Sequence, residues 1–127
     1  MPVASLCLYG STLDPAAISQ ELQCKPSSAQ TKGQSFVSSS GKRRTSETGL
    51  WMVSSEQFCT SADVRDHIDC LLQALKLNSD LRAIRGVEHA VLSLCIISSE
   101  QPTLLNLPPE ILEQLAKLGL TLEIDAY

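Results

Sequence analysis

Aromatic residues are scarce in this chain: one Trp, two Tyr and two Phe, 4% of 127 residues. The basic run Lys42-Arg43-Arg44 has no interleaved aromatics and falls short of a nucleic-acid stripe. No apolar run is long enough for a membrane helix, and the start Met1-Pro2-Val3-Ala4-Ser5 lacks the basic segment of a signal peptide. A cytoplasmic protein without membrane contact is the expectation. No glycine-rich phosphate loop occurs. The five cysteines, Cys7, Cys24, Cys59, Cys70 and Cys95, are odd in number and include no Cys-x-x-Cys pair, which argues against a disulfide framework and a four-thiolate zinc site. Free, mostly buried thiols follow, and no metal or other cofactor is expected.

What is present is an ordinary globular composition, 43% hydrophobic and 19% charged. A chain of this length buries roughly two-thirds of its unfolded surface, so a single domain over residues 1–127 is expected. The net charge of -4 is unevenly spread: residues 1–49 carry five basic and three acidic groups, residues 50–127 five basic and eleven acidic. That acidic second part disfavours nucleic acid as a partner.

The only tryptophan lies in Gly49-Leu50-Trp51-Met52-Val53-Ser54, a short apolar run that reads as a strand and anchors the core. Before it, residues 3–9 alternate, with Ala4, Leu6 and Leu8 on one face and Ser5, Cys7 and Tyr9 on the other. Asp14-Pro15 starts a helix to about Gln23, with Ile18 and Leu22 as its apolar stripe. Residues 27–48, rich in Ser, Gly and Lys, are expected to be a flexible loop or hairpin insertion. Within it the reading is a short strand at Ser35 to Ser39, a tip at Gly41-Lys42-Arg43-Arg44 and a return along the Trp51 strand, with Gly49 at a bulge or turn.

Thr60-Ser61-Ala62-Asp63 supplies an N-cap hydroxyl followed by first-turn acid for a helix whose apolar face is Val64, Ile68, Leu71, Leu72 and Leu75, interrupted near Asn78-Ser79-Asp80. Residues 89–98 form a central strand with Ala90, Leu92, Leu94 and Ile96 on one face. Pro108-Pro109 opens a third helix with Ile111, Leu112, Leu115 and Leu118 inward and Gly119 as its end. Leu120 to Tyr127 alternates as a last strand. The order predicts an α+β fold: an open, mostly antiparallel sheet with helices on one face, a ferredoxin-like core (β-α-β-β-α-β) plus an extra α-β.

The strand ending in Gly10, Leu13-Asp14-Pro15 with Ile18 and Leu22, Pro26, Lys32-Gly33, Gly49-Leu50-Trp51, Leu71-Leu72, Leu115, Leu118-Gly119 and Tyr127 occur in the order and spacing of a known family. The chain resembles, over nearly its full length, the bacterial family called domain of unknown function 4279. That resemblance implies a small bacterial cytosolic protein and brings no catalytic residues with it. Pro108, where a small polar cap is expected, and Ser27 to Thr48 depart from the pattern.

No catalytic constellation stands out. Asp63, Asp66, His67, Asp69 and Cys70 crowd one helix, but a metal would need ligands from elsewhere, and a solvated acidic face with His67 at its boundary is the simpler reading. Cys70 with His67, or Cys95 with His89, lacks any nucleophile signature. Glu123 and Asp125 share a strand face and serve solubility at an edge.

The binding candidates are Tyr9, Lys42, Arg43, Arg44, Trp51 and Tyr127. The sheet face opposite the helices should carry Cys7, Tyr9, Val91, Cys95, Ile97 and Tyr127 among Ser5, Ser93, Thr121 and Glu123. An exposed semi-apolar face marks a contact site, so a non-enzymatic interaction or regulatory module, a homodimer or an immunity-type partner binder, is the first expectation. The alternative is a small-molecule sensor or enzyme with a pocket near the basic loop and Trp51, taking a small anionic ligand; single-stranded RNA on the sheet face is a third option.

Overall fold

Ala4, Leu6 and Leu8 alternate with Ser5, Cys7 and Tyr9, and that alternation divides the molecule into a core side and an open side. In the computed structural model, which describes residues 3–77, 79–96 and 105–126, the elements run β1 (Val3–Gly10), α1 (Pro15–Leu22), β2 (Ser28–Gln30), β3 (Ser35–Val37), β4 (Arg43–Thr45), β5 (Gly49–Ser54), α2 (Val64–Ala74), β6 (His89–Ile96), α3 (Pro109–Lys117) and β7 (Thr121–Ala126). One-turn 3-10 helices at Ser55–Gln57 and Leu81–Ala83 flank α2. Five strands form one sheet in the order β2-β5-β1-β6-β7, antiparallel except for the β6–β7 pair. The fold is α+β, with β3 and β4 as a separate two-stranded sheet.

Local chemistry sets the helix boundaries. Asp14 accepts from the amides of Ala16 and Ala17, and Pro15 needs no donor at the first helical position. Asp63 does the same for Arg65, starting α2. The third helix has no side-chain cap at Pro108, but it ends as expected at Gly119, with φ +70° and the Leu120 amide reaching back to the Leu115 carbonyl.

All three helices contribute to one core. Ile18 and Leu22 of α1, Val64, Ile68 and Leu71 of α2, and Ile111 and Leu115 of α3 join Ala4, Leu6, Leu8, Trp51, Val53, Ala90, Leu92, Leu94 and Ile96 from the sheet. Leu112, expected inward, is 47% exposed, because Ile111, Leu115 and Leu118 already fill the stripe that faces the sheet.

The insertion folds differently from expectation. The Ser35–Val37 strand does not return along the Trp51 strand; it pairs with Arg43–Thr45, opposing Phe36 with Arg44 and Val37 with Arg43. The turn closes through Ser38 and Lys42, with Gly41 at φ +82°. The outer edge of β5 is thereby left to β2, which sets Ala29 beside Trp51. Gly49 is neither bulge nor turn but a paired residue opposite Gly10. Asn78, Ile97 and Tyr127 lie outside the described residues.

Gly10, Gly49 and Gly86 bring three backbones together at one end of the sheet. A Cβ on Gly10 would overlap the Gly86 carbonyl oxygen, and one on Gly49 would lie 2.6 Å from the Gly10 carbonyl oxygen. Neither obstacle is a flexible side chain that could swing aside. Gly10→Ala is therefore expected to cost at least about 3 kcal/mol in urea unfolding. Gly41→Ala, at a turn with nothing near its Cβ, should cost only about 1 kcal/mol for its left-handed backbone. Equal costs would contradict the close-approach account.

Candidate functional site

Strand register decides which side chains are free of the core. On the face turned away from the helices, Gln30, Leu50, Tyr9 and His89 form one row across β2, β5, β1 and β6. The next row is Ser28, Met52, Cys7, Val91 and Thr121, followed by Ser54, Ser5, Ser93 and Glu123. Cys95 and Asp125 close the face at the far end. Its centre is apolar and its margins polar.

Hairpin β3–β4 borders the first row and makes a cleft of about 380 Å³. Its walls are Tyr9, Gln30 and Leu50 from the sheet and Phe36, Arg44, Thr45, Ser46, Glu47 and Thr48 from the hairpin and its exit. Phe36 and Arg44 oppose each other in the ladder and so share one hairpin face, while Val37 and Arg43 share the other, where Val37 is 67% exposed. The hairpin is held by backbone bonds from Gly33 to the Ser46 carbonyl and from Ser46 to the Gln34 carbonyl, both 2.9 Å. From Thr31 to Thr48 only Ser46 is buried, and its hydroxyl is committed to the Thr48 carbonyl.

The expected binding residues separate in space. Tyr9 and Arg44 line the cleft; Lys42 and Arg43 are exposed and do not. Trp51, expected beside the basic loop, is fully buried on the opposite face, because its pairing with Leu8 turns it to the helices, where its indole N–H donates to Ser19 Oγ at 2.9 Å. Tyr127 is not among the described residues. Phe36 was legible only as part of the short strand at Ser35 to Ser39, and its convergence with Arg44 depends on a pairing that polar three-residue strands do not announce.

Burial raises the Tyr9 hydroxyl above its usual pKa, and the neighbouring Cys7 and Glu123 add to the effect. Cys7 is also raised, chiefly by burial and further by Glu123, against an opposing hydrogen bond with Tyr9. Both groups therefore stay protonated at neutral pH, and the cleft presents a neutral phenol while the buried Cys7 thiol lies outside its lining. Arg44 supplies its positive charge and Glu47 its negative one.

His67 is not at a solvated boundary. It is buried, with Nδ1 2.6 Å from Ser55 Oγ and Nε2 2.7 Å from the Ser61 carbonyl oxygen. The carbonyl can only accept, so Nε2–H donates to it; Ser55 Oγ accepts from the Ala4 amide at 3.0 Å and donates its own proton to Nδ1. Both ring nitrogens are occupied by structural bonds. Asp63 caps its helix, and Asp66 accepts from Ser61 Oγ. His89 and Cys95 lie about 20 Å apart along one strand, too far for any pair chemistry. Among the described residues no three His, Cys, Asp or Glu side chains converge as a metal set. A second depression, of about 430 Å³ at Thr12, Asp14, Ala17 and Arg85, has no ring to hold a ligand, and its Asp14 is engaged in capping α1.

Ser55→Ala would leave both the Ala4 amide and His67 Nδ1 without partners inside the core. A loss of about 2–3 kcal/mol in urea unfolding is expected, with the urea dependence otherwise unchanged. A change within about 0.5 kcal/mol, the range of ordinary surface substitutions, would show that the pair does not lock the fold.

No curated protein and no solved structure matches this chain. A family model does match, over residues 2–127, from before β1 to beyond the end of β7, and so takes in the sheet, the helices and the hairpin that borders the cleft. The chain belongs to the family described as Domain of unknown function (DUF4279).

Proposed function

We propose that the chain is a non-catalytic binding module that holds a small organic anion in the cleft between hairpin β3–β4 and the open face of the sheet. The observation that carries this reading is the convergence of two rings, Tyr9 and Phe36, with the Arg44 guanidinium on one concave surface outside the core. Flat apolar groups lie against Tyr9, Phe36 and Leu50, and an anionic group meets Arg44 and the hydroxyls of Thr45 and Thr48. Glu47 on the same wall disfavours multiply charged anions, which points to a ligand with one negative group. Tyr9 held protonated and Ser46 tied to a carbonyl leave the cleft without a nucleophile and base in partnership, so the reading is binding rather than turnover.

Titration with aromatic carboxylates, phenylacetate first, tests this through amide shifts in ¹H–¹⁵N spectra. Saturable shifts confined to Tyr9, Gln30 and residues 44–50 are expected, weakened about tenfold by Arg44→Gln as one charge-assisted hydrogen bond is lost. Trp51 emission should not change, since its ring lies on the far side of the sheet. The reading fails if no carboxylate gives a saturable shift, or if the shifts map elsewhere.

A second reading, contact between two copies across the sheet face, draws on the half-buried Tyr9, Leu50 and Met52, which share that face with the already buried Cys7 and Val91. It requires a dimer mass at high concentration in light scattering that falls to one chain on dilution. A single-chain mass throughout removes it.

A further inference from the structure

The cleft beside hairpin β3–β4 has one charge of each sign on its wall, Arg44 and Glu47, and a simple anion answers only the first. The chain from Thr45 to Thr48 decides where the second stands. Ser46 is buried and tied at three points: its amide donates to the Gln34 carbonyl, its carbonyl accepts from the Gly33 amide, and its hydroxyl donates to the Thr48 carbonyl. Glu47 is thus carried on a closed bend between two tied residues, and it is exposed there. Arg44 comes from the adjoining strand, on the hairpin face that it shares with Phe36.

The two charges do not neutralise each other. Among the described residues the ion pairs join Arg82 to Asp80 and Lys117 to Glu113, so Arg44 and Glu47 face the same space of about 380 Å³ without closing on one another. Ligand sites run from about 300 to 1,000 Å³, and a space at the lower end of that range suits one small molecule. A molecule that answers both charges and the rings of Tyr9 and Phe36 must carry a carboxylate, a cationic nitrogen and an apolar group a few bonds apart.

We infer that the ligand is a free α-amino acid with an aromatic or large aliphatic side chain, an assignment that rests on the anion-binding reading of the cleft. Its carboxylate meets the Arg44 guanidinium and the Thr45 hydroxyl, its ammonium meets the Glu47 carboxylate, and its side chain lies against Tyr9, Phe36 and Leu50. A carboxylate without the amine leaves Glu47 unanswered and brings a second negative charge near it; an amine without the carboxylate does the same to Arg44. Both residues are exposed, which keeps each pairing to a modest factor. Three contacts around one tetrahedral carbon also tell mirror images apart, because inverting the carbon takes one of the three groups off its partner.

The test compares L-phenylalanine, D-phenylalanine, phenylacetate and 2-phenylethylamine in ¹H–¹⁵N titrations of the full chain and of Glu47→Gln, a substitution at an exposed residue outside the core. The tighter phenylalanine enantiomer should bind about tenfold more strongly than phenylacetate, the effect of one added charge-assisted hydrogen bond. Glu47→Gln should bring that enantiomer down to the level of phenylacetate and leave phenylacetate at least as tight as before. Phenylalanine binding no tighter than phenylacetate, or keeping its advantage in Glu47→Gln, would overturn the amino-acid assignment and leave the simpler anion site standing. Equal binding of the two enantiomers would overturn it as well, by showing that the three groups are not separately held. Binding of 2-phenylethylamine as tight as that of phenylalanine would remove the role of Arg44 and both readings with it. No saturable shift from any of the four ligands would end both.

Discussion

The register of β1 is the constraint on which core and site both depend. Pairing Leu8 with Trp51 and Ala90, and Leu6 with Val53 and Leu92, sets the side chains that meet the helices. A slip of one residue would either turn Trp51 onto the open face or drive Tyr9 into the helix layer. The near approach of Gly10, Gly49 and Gly86 resists such a slip, because no other residue can occupy those positions without moving backbone. The cleft exists because the same choice that buries Trp51 exposes Tyr9.

Polar groups complete the core and add no chemistry to it. Ser55 and His67 resemble a hydroxyl and its base, and their 2.6 Å contact would invite a catalytic reading from distance alone. Both are buried, and the ring's second nitrogen is spent on a backbone carbonyl. Their bonds connect the start of β1, the turn after β5 and the middle of α2, and no described buried side-chain polar atom lacks a partner. Satisfied networks of this kind favour one arrangement of the elements around them.

Much of this architecture was legible in the sequence wherever periodicity and caps agreed. The alternation of Ala4, Leu6 and Leu8, the Asp14-Pro15 start, the stripe Val64, Ile68 and Leu71, and the alternation of Leu122 and Ile124 each place an element close to its observed bounds. Strands β2 and β4 were not legible, since Ser28-Ala29-Gln30 and Arg43-Arg44-Thr45 have no apolar alternation and Thr45 alone favours a strand. Their existence comes from the partner they lie beside. That gap explains the site: Arg44 could be picked out with Lys42 and Arg43 as a basic cluster, but only its pairing with Phe36 separates it from them. The burial of His67 was hidden likewise, because its partners come from a 3-10 turn and a loop that have no periodic signature.

Hairpin β3–β4 contributes almost nothing to the hydrophobic core, yet Phe36, Arg44 and Thr45 make it a third of the wall of the cleft. Its anchors are mostly backbone bonds around Gln34 and Ser46, which depend little on side-chain identity. Residues 35–45 are thus less tied to the core than the sheet they adjoin: substitutions there reshape the wall of the cleft with little cost to folding. One sheet with its glycine contacts can therefore carry unlike hairpins, and so unlike clefts, as an antibody framework carries unlike loops.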